Sequence, residues 1–419
     1  MSIRIRSRVA RATLGLATAA LVFAGSPATR ATPVSSVMEW NQIALSATVT
    51  AAQGPLPQSR SMTIVQVAVH DAVNLITGRF GTYRAYGPPP AGASADAAAI
   101  AAAHRTLATL FPAQAPALDL ARAASLAARA LTEADPGIQV GEMTAALLLQ
   151  ARGNDGASAA QFAYTAPGAG TPGVWTAIGT APALLPGWGN VATWVVPSAS
   201  QFHPEGPPPL ASARWARDYN EVKIMGALSS VKRTADQTEI ARFWLGTPSA
   251  IWNSVARRII DARGLDLSAT ARTFALMYLA AADAGVACWD AKYVYNFWRP
   301  QAAIKNGHLD GNHFTERQEG WVPLFPTPPH PEYTSGHASN SAAMSFTLGL
   351  LFGDAPGVAV LATSPTNPSF PRQWTRFSEG VDEVIDARIY SGIHFRSADE
   401  VGARIGRQVA RFVFTHALR

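Results

Sequence analysis

Apolar residues recurring at the spacing of an α-helix dominate this chain, and no stretch alternates as a half-buried strand does. Val65, Ala68, Val69, Ala72, Leu75 and Ile76 fall on one helical face. Ala-rich segments follow near 93–110, 115–134 and 139–152, the last stopping at Gly153, a residue suited to a helix C-cap. Helical patterns resume over about 212–229, 235–246, 249–263 and 268–290. Further patterns run from Ser335 to Leu351, stopping at Gly353, and over 377–390 and 398–415. Ahead of the last, Ser397 and Glu400 have the spacing of a capping box. With no convincing strand run and no repeat of fixed period, the expected fold is all-α, helices bundled around one or two cores.

Residues 154–210 interrupt this pattern. They are rich in Gly, Pro, Ala and Thr, yet carry Trp175, Trp188 and Trp194. Burial of three indoles would pin the segment, so it is expected to be an ordered loop over the helices rather than a flexible linker. A second, Pro-rich loop spans about 300–334. The chain thus divides into an N-terminal helical region, 32–210, and a C-terminal one, 211–419.

Residues 1–31 read as a secretory signal. Arg4, Arg6, Arg8 and Arg11 precede a short apolar stretch, Thr13 to Ala24, then small residues with cleavage expected near Ala28 or Ala31. No Arg-Arg pair marks the twin-Arg route. Beyond it no uninterrupted apolar run reaches about 18 residues; the richest, Phe274 to Ala282, is broken by Asp283. An exported protein, periplasmic or secreted and without a membrane span after cleavage, is expected. The composition, 48% hydrophobic and 15% charged, excludes global disorder. The net charge is +6, but no basic cluster interleaved with aromatics appears, so no nucleic-acid partner is expected. The single cysteine, Cys288, excludes an internal disulfide framework.

Three C-terminal segments carry chemistry. In the first, Lys292-Tyr-Val-Tyr-Asn-Phe-Trp-Arg299-Pro300, the cations are seven residues apart. On a continuous helix both would lie on one face, and Pro300 would turn the chain away. The aromatic residues around them, with Trp289 nearby, imply burial, and buried cations need an anionic partner. In the second, His330-Pro-Glu-Tyr-Thr-Ser335-Gly336-His337, a loop enters a helix, whose first N–H groups and dipole favour an anion. Ser335 supplies a hydroxyl donor or simply caps the helix. Gly336 allows close backbone approach. The third, Arg388-Ile-Tyr-Ser-Gly-Ile-His394, places a guanidinium and an imidazole near a helix end. Together, Lys292, Arg299, Arg388, Ser335 and Gly336 describe a cradle for a compact oxyanion, with His337 and His394 as acid, base, nucleophile or ligand. His70, His104, His203, His308, His313 and His416 are read as structural. No Glu-x-x-His or His-Glu-x-x-His spacing supports a carboxylate-bridged metal centre.

These segments resemble the superfamily joining vanadium-dependent haloperoxidases with type 2 phosphatidic acid phosphatases and bacterial acid phosphatases. Its pattern is Lys, six residues, Arg-Pro; then Pro-Ser-Gly-His; then Ser-Arg, five residues, His. Here Thr334 replaces the Pro and Ala387 the Ser. The Asp that phosphatases carry four residues after the last His is Ala398, with Asp399 one further on, so the partner orienting His394 is open. A weaker likeness to the bacterial haloperoxidase-like proteins runs back to about residue 39. The resemblance implies an all-helical fold and one of two activities. As a haloperoxidase, vanadate would be bonded by His394 and held by Lys292, Arg299, Arg388, Ser335 and Gly336, with His337 passing protons and Lys292 polarising the peroxide. Hydrogen peroxide would then oxidise a halide that halogenates an organic acceptor. Trp289 and His330 are the halide-pocket candidates, Trp289 resembling that of chloroperoxidases and His330 the second His of algal bromoperoxidases. As an acid phosphatase, with no cofactor, a phosphate ester would phosphorylate His394 while His337 protonates the leaving oxygen. An inactive anion-binding protein is a third class, disfavoured because simple capture needs neither histidine.

Overall fold

The structure, a computed structural model, describes residues 35–419. The expected signal segment, 1–31, lies outside the described residues. In chain order the helices are α1 (Ser36–Thr50), α2 (Pro55–Thr77), α3 (Ala95–Leu110), α4 (Ala115–Ala128), α5 (Pro136–Arg152), α6 (Ala213–Met225), α7 (Ala235–Phe243) and α8 (Pro248–Arg263). The remainder are α9 (Leu267–Tyr295), α10 (Pro300–Lys305), α11 (Gly336–Phe352), α12 (Phe377–Tyr390) and α13 (Arg396–His416). The fold is all-α. Its one departure among the described residues is a small antiparallel ribbon, β1 (Val360–Ala362) with β2 (Arg372–Trp374), pairing Leu361 with Gln373. Three-residue strands are too short to show a period of two, which is why the sequence did not reveal them.

α9 organises the molecule. Its residues from Thr273 to Trp289 are all buried, because α2 packs on one side and α11 and α13 on another. It is long and apolar enough to cross a membrane, but its most apolar window is 94% buried inside the protein. The helices on either side of residue 210 share one apolar core, from Val37 and Trp40 to Val413. Close approach of α11 and α13 depends on two glycines. A Cβ on Gly402 would lie 2.6 Å from the Ser335 carbonyl oxygen, and one on Gly406 2.1 Å from that of Ser339. No side chain fits there, so α13 presses directly on the start of α11.

The 154–210 segment is pinned as the tryptophans imply. Trp175, Trp188 and Trp194 are 2%, 4% and 7% exposed. Each removes on the order of 200 Å² from water, which at about 25 cal/mol/Å² is a gross gain near 5 kcal/mol. A further anchor was not foreseen. Asp283, in the middle of α9, accepts the backbone N–H groups of Trp194, Val195 and Val196 at 2.6, 2.8 and 2.9 Å.

Three local expectations need correction. α9 does not continue to Arg299: Asn296 takes a left-handed conformation (φ 48°) that ends it, and Arg299 becomes the N-cap residue of α10. Lys292 and Arg299 therefore meet through a sharp turn rather than a shared helical face. Pro300 does not turn the chain away but opens α10, where its missing N–H costs nothing. Ser397 and Glu400 form no capping box, since α13 starts earlier with Phe395 at its N-cap and Ser397 inside the first turn. The Ser397 N–H donates instead to Asp218, at 3.2 Å.

Candidate active site

The end of α9, the start of α11 and the junction of α12 with α13 converge on one cavity of about 370 Å³. Its reactive wall is Trp289, His330, Gly336, His337, Arg388 and His394, with Asn340 beside them. Its other wall is apolar, built by Pro55, Leu56, Pro57, Leu184, Leu185 and Pro248. The two late imidazoles predicted from sequence therefore share one cavity. Lys292, Arg299 and Ser335 stand behind its surface rather than on it. The six histidines read as structural take no part in its lining; His70, for one, is buried against the Gly81 carbonyl at 3.0 Å.

Each cation is held by carbonyls. Lys292 Nζ donates to Pro331 and Glu332 oxygens, both at 2.9 Å. Burial, in the end of the apolar α9, pulls it down to about 7. Arg299 donates to the His330 and Ile393 carbonyls at 2.8 and 2.7 Å, and its Nη1 lies 3.1 Å from His394 Nε2. Its Nη2 reaches His330 Nδ1 at 2.9 Å, fixing that ring against Trp289 with centroids 4.7 Å apart. Arg388 Nη1 donates to the Trp244 carbonyl at 2.8 Å, while its buried Nε has no partner. Burial lowers Arg299 and Arg388 to about 10.

Ser335 is the N-cap of α11, its Oγ 3.5 Å from the Ala338 N–H, and its own N–H is taken by the Ala398 carbonyl at 3.1 Å. The capping alternative thus describes its present contacts. Gly336, first residue of the helix, has an N–H with no helical acceptor. A Cβ there would come to 3.0 Å from the Trp289 ring, so any side chain would crowd that ring against the cavity. One ring nitrogen of His337 bonds the Gly246 backbone, and Nε2, buried, has no partner. Burial first, then Arg388, holds His337 well below the ordinary histidine range.

The partner of His394 is Glu332. Its Oε1 lies 2.9 Å from His394 Nδ1 and accepts the Phe395 N–H at 2.8 Å. Nδ1–H therefore points at the carboxylate, leaving the Nε2 lone pair toward Arg299. Burial and then Arg299 keep His394 well below the ordinary range. Glu332, 1% exposed, is pushed up to about 7 by burial. Asp399, the acid next to the position the sequence pattern pointed toward, is fully buried beside the Ser335 side chain and near Arg388, and burial raises it far above the carboxylate range. Sequence reasoning gave Glu332 no role, although it stands inside the second segment. The signal was there: buried cations require a buried anion, and Glu332 is the acid within that segment.

A family described as the VCPO second helical-bundle domain matches residues 272–419. The vanadium chloroperoxidase of Curvularia inaequalis is 32% identical over 146 residues, 28% of this chain and 23% of that protein. Residues 272–419 of this chain belong to the VCPO second helical-bundle family. The match to that curated haloperoxidase spans under a quarter of its length. Solved haloperoxidase structures share the fold over nearly the whole chain. A bacterial vanadium-dependent iodoperoxidase superposes with a TM-score of 0.80 at 24% identity, covering 92% of this chain and 98% of its own. The holo form of a bacterial vanadium-dependent chloroperoxidase gives 0.69 at 16%, covering 92% and 96%. The superfamily's three motifs sit in this chain on the end of α9 with its following turn, the entry to α11, and the α12–α13 junction, all on one cavity.

Proposed function

We propose that this chain is an exported vanadate-dependent haloperoxidase that oxidises a halide with hydrogen peroxide. The observation that carries the reading is the pair His337 Nε2 and Arg388 Nε, both buried, both unpartnered and both on residues lining the cavity with His394. Buried polar atoms are almost always paired; the Arg388 Nε–H fits the acceptor oxygens of an oxyanion, and the His337 Nε2 lone pair fits a hydroxyl on it. Charge agrees. Two guanidinium groups, Arg299 and Arg388, together with Lys292, face two buried acids, of which burial drives Asp399 toward its neutral form and leaves Glu332 to balance them. An anion restores the balance.

The residues fit vanadate. Arg388 and the Gly336 N–H would hold its oxygens, with Arg299 and Lys292 adding charge from behind, and the His394 Nε2 lone pair would ligate vanadium. Bound vanadate supplies a Lewis acid that activates peroxide without changing its own oxidation state. Glu332 keeps His394 in the tautomer whose Nε2 is unprotonated. His337, tied to the Gly246 backbone through its other ring nitrogen, takes a proton at Nε2 and returns it. Trp289 and His330, locked together in the wall, support a halide position beside these groups.

The same His394–Glu332 pair would also suit an acid phosphatase, with Nε2 attacking phosphorus and His337 protonating the leaving oxygen. Parallel assays separate the two. Vanadate-dependent bromination with peroxide, suppressed by phosphate, is the expected result. Phosphate release from an aryl phosphate, blocked by vanadate and unaccompanied by bromination, contradicts it.

A further inference from the structure

Leu185 is a branched residue in the left-handed region, at φ 49°. That conformation is unfavourable for leucine and persists only where the surroundings enforce it. Here they do. The Leu185 N–H donates to Gln161 Oε1 at 2.8 Å, and the preceding Leu184 N–H donates to the Pro329 carbonyl at 2.8 Å. The Leu184 carbonyl accepts from Tyr293 OH at 2.7 Å and from Trp289 Nε1 at 3.3 Å. Four hydrogen bonds thus fasten two residues of the long loop over the site, with both side chains in the cavity wall. Leu56, at the start of α2 and 3% exposed, meets them from another part of the chain. Among the described residues, no Asp, Glu or Lys side chain lines this cavity.

We infer that the Leu56–Leu184–Leu185 wall binds the organic acceptor inside the cavity, and that this acceptor is a neutral, electron-rich aromatic molecule of one or two rings. The inference rests on the haloperoxidase reading and extends it to the second substrate. Neutrality follows from the wall, which offers a charged acceptor no counter-charge away from the oxyanion site. Size follows from the volume, at the small end of the range for ligand pockets. Electron richness follows from the chemistry: the oxygen–halogen bond of hypohalous acid breaks, a carbon–halogen bond forms, and the displaced ring proton leaves with hydroxide as water. An acceptor seated against the wall meets the oxidant within the cavity, so the wall selects which ring carbon is halogenated.

Leu185→Asn separates this role from a structural one, because asparagine tolerates the left-handed conformation better than leucine does. Binding of indole to the vanadate-free protein, followed by calorimetry, is expected to weaken at least tenfold in the variant while the thermal midpoint does not fall. In the vanadate-loaded enzyme, wild type is expected to give a ratio of brominated indole isomers unlike that of reagent hypobromous acid, and the variant a ratio closer to the reagent's. Unchanged indole affinity in Leu185→Asn overturns the inference, as does a wild-type isomer ratio equal to the reagent's while bromination proceeds. Intact indole binding with no bromination of any acceptor instead contradicts the haloperoxidase reading, and with it the acceptor role of this wall.

Discussion

Glu332 Oε1 lies 2.9 Å from His394 Nδ1, joining the loop before α11 to the turn before α13. The carboxylate is acceptor-only when ionised, so it selects the imidazole tautomer with Nε2 unprotonated. Glu332→Gln keeps the shape and removes the charge. Vanadate affinity is expected to fall roughly 10–100-fold, the usual cost of losing a group that orients a metal ligand. Equilibrium dialysis with vanadate on wild type and variant checks this, and an unchanged affinity would remove Glu332 from the account.

Lys292 gives the site a pH dependence. Burial lowers it to about 7, so it is charged below that pH and neutral above. Binding of sulfate, whose own charge is constant there, is expected to weaken as pH rises through 7 in the vanadate-free protein, as Lys292 loses its charge and Glu332 gains one, and the dependence to become shallower in Lys292→Met. The stability sign is opposite. Between about 7 and the ordinary lysine value the unfolded chain binds the extra proton, so this group favours the fold increasingly as pH rises.

Gly406→Ala tests the pressure of α13 on α11. The new methyl would sit 2.1 Å from the Ser339 carbonyl oxygen and 2.8 Å from the Ala343 nitrogen. Overpacking of this kind costs about 1–3 kcal/mol, to be read from denaturant unfolding. Because Ser335 and His337 ride on the same end of α11, vanadate affinity should fall with it.

Asp283→Asn tests the loop anchor. An amide presents its own N–H groups to three backbone donors, at a cost of roughly 1–3 kcal/mol for unpaired groups. Limited proteolysis is expected to cut the variant within 154–210 before wild type. Burial holds Asp283 up at about 6, from an ordinary 3.8. Across that window the folded state holds the extra proton, so this group's contribution to stability is lost as pH rises. The variant's stability curve should lack that slope.

The elements that sequence revealed are those with a strong local signal. α3, α11 and α12 fall within two residues of their expected limits, because long periodic runs end in capping residues or tight turns. The oxyanion cradle was legible because its residues come in short segments of rare spacing. What escaped was non-local. Spacing on a helix misplaced Arg299, since the left-handed turn at Asn296 is invisible to periodicity. Glu332 and Asp283 act on partners 62 and 87–89 residues away, and no local pattern marks an acid destined to be buried. The apolar wall draws on positions 54–57 and 184–185, which only the packed loop brings together.

His394, Arg388 and Gly336 are expected to hold one vanadate between them. Vanadate titration of purified protein by calorimetry, on wild type and His394→Ala, tests it most directly. One site per chain, displaced by phosphate and lost in the variant, is the predicted result. Absence of saturable binding in wild type, or equal binding in His394→Ala, would contradict it.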